Sequence, residues 1–126
     1  MQSHSDQERR RAPRIKKSIP LKISGDEFDL VTETEDISCY GAYSQVNKYI
    51  APMTRLKVVV LLPTKQRNKT VTKKVECTGV IVRTENIPDK PSCFNVAIFF
   101  SDITNKDRQR ILDYVSQHLG KESVVT

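Results

Sequence analysis

The chain has 126 residues, 37% of them apolar and 29% charged, no Trp, and a net charge of +6, a composition that fits one small domain with a modest core; a second domain is not expected. The longest apolar run, Val58 to Pro63, is too short to span a bilayer, and residues 1–17 lack the apolar stretch of a signal peptide, so a cytoplasmic protein without membrane insertion is expected. Cys39, Cys77 and Cys93 contain no C-x-x-C pair, and His4 and His118 lie at opposite ends of the chain, so neither a metal nor a cofactor is expected.

Residues 1–17 show no sustained periodicity and hold six Lys/Arg against two acids. They read as a flexible basic arm able to order on binding. Ile19, Leu21 and Ile23 then alternate with polar neighbours, the period of a half-buried strand, and Gly25-Asp26 supplies a turn. Phe28 to Thr32 reads as its partner. Another short strand is expected from about Thr34 to Ser38, with Tyr40-Gly41 as the break before Ala42 to Val46. Arg55 to Leu62 is rich in Val and Leu and is expected to end at Pro63, while alternation from Val71 runs to Val82 or Arg83. Between these two, Lys65 to Lys74 contains five cations and no acid, and reads as a solvated loop. Glu85 to Ser92, with Pro88 and Pro91, reads as a second loop; Phe94, Val96, Ile98 and Phe100 then share one strand face.

The ending is helical. Thr104 and Asp107 resemble a capping box, and Ile111, Leu112, Val115 and Leu119 share a helix face, with Gly120 placed as the stop. The expected organisation is an arm over 1–17, a β domain over 18–120 that includes a helix at about 104–119, and a tail over 121–126. Six or seven short strands plus one terminal helix describe a mainly β fold, a small antiparallel barrel with a helical buttress.

The chain carries no assembled Ser/His/Asp set, no G-x-x-x-x-G-K-[ST] and no G-x-G-x-x-G, and neither Ser38 nor Cys39 has a base nearby in sequence. An enzyme is not expected. Binding chemistry is better represented. Arg10 and Arg14 lie four apart on a segment with no large apolar residue before Ile15, and an arginine fork grips phosphate or the O6/N7 edge of guanine. Asp36 and Ser38, two apart, share one strand face, where a carboxylate accepts from guanine N1 and N2 and a hydroxyl bonds ribose or phosphate. Gly41 permits a positive φ or a close approach of ligand to the backbone. The same residues also suit an ordinary β-turn with a serine hydrogen bond, and the arm also suits a nonspecific basic tail.

Arg10-Arg11-Ala12-Pro13-Arg14 followed by Asp36-Ile37-Ser38-Cys39-Tyr40-Gly41 resembles the PilZ domain family, bacterial receptor modules for cyclic di-GMP marked by R-x-x-x-R and then [D/N]-x-S-x-x-G. The resemblance extends through Gly79 to Arg83 and Phe94 to Phe100, with Ala97 where the family usually has glycine. It implies a six-stranded antiparallel β-barrel with one C-terminal α-helix, in a bacterial cytoplasmic receptor without catalysis. By position, Arg10 and Arg14 would hold phosphates and guanine edges, Asp36 and Ser38 would take guanine and backbone atoms, and Gly41 would leave room for them. Arg9 and Arg11 match no motif position but are close enough to add contacts. The implied partners are cyclic di-GMP and a downstream protein that reads the changed surface; stoichiometry and a homodimer stay open. One alternative is a basic barrel binding RNA or single-stranded DNA, which needs exposed aromatic platforms that four Tyr and four Phe, several at core positions, do not supply, so nucleic acid is not expected. The other is a protein-interaction adaptor without a ligand.

Overall fold

The computed structural model describes residues 12–125, with side chains through Leu119. Six strands follow in order: β1 (Pro20–Ser24), β2 (Asp29–Ser38), β3 (Gly41–Val46), β4 (Arg55–Gln66), β5 (Lys69–Ile87) and β6 (Lys90–Asp102), and a helix, α1 (Asn105–Val125), ends the chain. All pairings are antiparallel, in the ring order β1-β2-β3-β6-β5-β4, and β4 returns to β1 to close it. Closure leaves the ring itself without a free edge.

The alternating residues fill the ring. Ile19, Leu21 and Ile23, Val58, Val60 and Leu62, Val75 and Ile81, and Val96, Ile98 and Phe100 are all buried in one cluster. Ile111, Tyr114 and Val115, spaced to share one helix face, join it, whereas Leu112 and Leu119 pack only partly against it. Thr104 Oγ1 accepts from the Asp107 N–H at 3.1 Å, the expected helix cap. The helix does not stop at Gly120 but runs on to Val125. A glycine stop needs a positive φ, and among the described residues no glycine has one.

Several boundaries depart from the sequence expectation. The two strands expected around Thr32 and Thr34 are one strand, β2, with a bulge that leaves Glu35 unpaired between Thr34↔Ser44 and Asp36↔Tyr43. β4 does not end at Pro63 but continues to Gln66, because beyond Val60 it has left β1 and a proline is tolerated at such an edge. The expected Lys65 to Lys74 loop is therefore the end of a two-stranded ribbon, closed by Arg67 and Asn68 at φ 48° and 69° between paired Gln66 and Lys69. Two successive positive φ values match the tight hairpin turn whose twist suits a β-ribbon. The Glu85 to Ser92 loop likewise shrinks to Pro88-Asp89 between β5 and β6.

The arm also differs from a free segment through residue 17. Ile15 is 2% exposed and exchanges two backbone hydrogen bonds with Ile37, at 3.1 and 3.0 Å. Further along, Ile19 C=O accepts from the Thr34 N–H, and Thr34 Oγ1 donates to the Lys17 carbonyl. Residues 15–19 thus continue the line of β1 along β2. Burying one isoleucine contributes roughly 1.5–3 kcal/mol, enough to hold a short segment that charge alone would leave loose.

Candidate functional site

Parity places the site. Thr34 is buried, so in a regular strand Asp36, two residues on, would also point inward. The bulge at Glu35 shifts the phase, so that Ile37 turns into the core opposite Ala42, and Asp36 and Ser38 stand on the strand face turned away from it. On the adjoining segment Ile15 turns inward opposite Ile37, and Arg14, one residue earlier, therefore stands on the same outer face as Asp36 and Ser38.

The Arg14 guanidinium closes this arrangement. It donates from Nε and Nη2 to Asp36 Oδ1, at 2.9 and 2.7 Å, and from Nη1 to Ser38 Oγ at 3.3 Å. The Arg14 side chain keeps 48% of its surface exposed and Asp36 26%, so the ion pair sits in contact with solvent. Pairs of that exposure contribute at most about 1 kcal/mol, which leaves the fork free to exchange partners at small cost. Ser38 is buried, and its Oγ also accepts from the Tyr40 N–H at 3.1 Å. The turn reading of Ser38 therefore describes a real contact, and its hydroxyl meets the Arg14 guanidinium as well: one lone pair holds the turn and the other accepts from Arg14.

Gly41 has a different local reason from the one expected. Its φ is not positive, and a Cβ built there would lie 2.3 Å from the Ile98 carbonyl oxygen on β6. The close neighbour is thus the backbone of the next strand, and glycine at this position lets β3 approach β6. Arg10, with Arg9 and Arg11, lies outside the described residues.

Two participants were not legible as such in the sequence. Ile15 is the anchor that orients Arg14, and its only signal is that it is the first large apolar residue after the arginines. Arg108 of α1 lies over the Tyr40 ring, 5.0 Å from its centroid, linking the helix to the turn beside Ser38. No periodicity relates positions 40 and 108, so only the fold brings them together.

Burial pushes the Cys39 thiol up and the Cys77 thiol to about 12, so both are neutral at physiological pH and neither is an activated nucleophile. Among the described residues no cluster of His, Cys, Asp and Glu suits a metal ion, and no helix is long and apolar enough to cross a membrane.

The fold has relatives among solved structures. No curated protein matches the chain. Among solved structures, the inhibitor of motility MotI/DgrA of Bacillus subtilis superposes with a TM-score of 0.77 at 19% identity, covering 88% of this chain and 51% of that one. The MrkH–c-di-GMP complex of K. pneumonia gives 0.66 at 16% identity, over 92% of this chain and 55% of that one. The PilZ domain of YcgR from Escherichia coli, with c-di-GMP, gives 0.58 at 12% identity, over 91% and 94%. At such identities the likeness is one of fold, and the chain spans only about half the length of the first two. Residues 8–117 match the PilZ domain model, and the chain belongs to the PilZ domain family.

Proposed function

We propose that this protein is a receptor for cyclic di-GMP, binding it where Arg14 meets Asp36 and Ser38. The observation that carries the reading is the three-point contact of Arg14 with those two residues, which unites the two halves of the sequence pattern on one outer face. Family membership supports it, as do fold relatives whose structures contain c-di-GMP.

In the proposed mechanism the ligand phosphates draw the Arg14 fork from its internal carboxylate, and Arg10 supplies a second fork from the arm. Asp36, released, accepts from the guanine N1 and N2 donors, and Ser38 holds the turn while bonding the ligand backbone. Arg9 and Arg11 add charge. Gly41 keeps the Ser38 turn close to β6 and leaves room for the ligand beside it. Closure of the arginine arm alters the surface offered to a downstream protein, which is the receptor's output; no step of catalysis is involved.

Titration calorimetry with cyclic di-GMP, beside GTP and cyclic GMP, tests the reading. Saturable binding of the cyclic dinucleotide alone is expected, with Arg10→Ala and Arg14→Ala each weakening it by about 1.5 kcal/mol or more, the scale of a charged hydrogen bond. Wild-type affinity in both variants would remove the arginines from the mechanism, and no binding by the wild type would end the proposal.

A further inference from the structure

The ribbon formed by the ends of β4 and β5 lies against α1, and between them is a cleft of about 150 Å3. Lys65 and Lys73 of the ribbon and Arg110 and Tyr114 of the helix line it, together with Asp113 and Gln117. The volume is that of about five waters, and it falls below the roughly 300 Å3 at which pockets for drug-sized ligands begin. A small ion fits.

The lining favours an anion. Three cations face one carboxylate, and an Asp113 oxygen already accepts from Gln109 Nε2 at 2.8 Å. Arg110 uses Nη1 on Asp107, 3.2 Å away, which leaves the rest of its fork available. Tyr114 is 3% exposed, and its buried hydroxyl has no hydrogen-bond partner among the described residues. An unpaired buried hydroxyl costs free energy, and an acceptor seated beside it would offset that cost. Burial raises the phenol's pKa, so at neutral pH the group is a donor.

We propose that this cleft binds a small phosphate-bearing anion, gripped by Lys65, Lys73 and Arg110 with Tyr114 as a buried donor. Phosphate matches the wall better than a monovalent halide does. It carries several acceptor oxygens, which a planar guanidinium and two mobile ammonium groups approach from different elements. Bound there, it would add a further tie between the ribbon and the helix. None of these residues belongs to the Arg14 cluster.

The full chain is titrated with sodium pyrophosphate and with inorganic phosphate, against sodium chloride at matched ionic strength, reading the unfolding midpoint and the heat of binding. A saturable rise in midpoint with the phosphates and not with chloride is expected. Lys73→Gln combined with Arg110→Gln should weaken binding about tenfold or more, and Tyr114→Phe, which keeps the ring packed on His118, several-fold. Arg14→Ala should bind pyrophosphate as the wild type does. Equal responses to phosphates and chloride, undiminished affinity in the Lys73/Arg110 or Tyr114 variants, or loss of binding in Arg14→Ala would each overturn the proposal.

Discussion

The arm and the β4–β5 ribbon are both basic stretches, and the fold treats them in opposite ways. Arg14 has a buried isoleucine beside it and a carboxylate and hydroxyl across from it, and it is held in one geometry. The ribbon's Lys65, Arg67, Lys69 and Lys73 form no ion pair among the described residues; only Lys74 reaches an acid, Glu76 at 3.8 Å. Charge density alone thus says little about a site. An apolar anchor and a facing acceptor turn a cation into a positioned group, and without them it stays a source of field.

The strongest way to break this contrast is to remove the anchor. Ile15→Ala should cost roughly 2–5 kcal/mol of stability, as large-to-small core changes do, and should also abolish the ligand response by releasing Arg14. Urea denaturation and calorimetry on the same sample check both. Gly41→Ala, which drives a Cβ into the Ile98 carbonyl, should cost about 1–3 kcal/mol and disturb the Ser38 turn. Thermal unfolding with and without ligand measures it.

Alkaline pH probes the core that carries both regions. The Cys77 thiol ionises at about 12 in the fold against 9.0 for an ordinary thiol, so the unfolded chain loses its proton first. Stability should therefore hold below about pH 9 and decline as pH climbs from there toward the folded value, and Cys77→Ala should flatten that decline. Urea midpoints across the range are the readout. The smallest effect is expected at the ribbon tip, where Lys69→Gln should change stability by less than about 0.5 kcal/mol and leave the cyclic di-GMP response intact. A large loss there would mean the ribbon tip is as tightly organised as the segment around Arg14 and Ile15.

Much of the fold was legible because period-2 alternation is a strong signal. Ile19, Leu21 and Ile23 and then Val96, Ile98 and Phe100 fall inside as their spacing requires. Boundaries were less legible for physical reasons. Pro63 and Pro91 lie within strands, and a proline's breaking effect depends on whether a neighbouring strand needs its missing N–H. Gly120 sits within a helix for a related reason, since glycine weakens a helix without forbidding it. In the candidate site, Arg14, Asp36 and Ser38, which the sequence pattern singles out, come together. Their shared orientation was not legible, because it comes from an unpaired Glu35 and a buried Ile15, neither of which has a distinctive letter.

That dependence makes spelling an incomplete guide to descent and design alike. A chain could keep both arginines, the aspartate, the serine and the glycine, yet lose one residue near Glu35 or gain one ahead of Ile15. Each such change would rotate half the constellation through the wall of the ring. Two sequences with the same letters would then differ in whether Arg14, Asp36 and Ser38 share a face, and counting residues between landmarks would separate them.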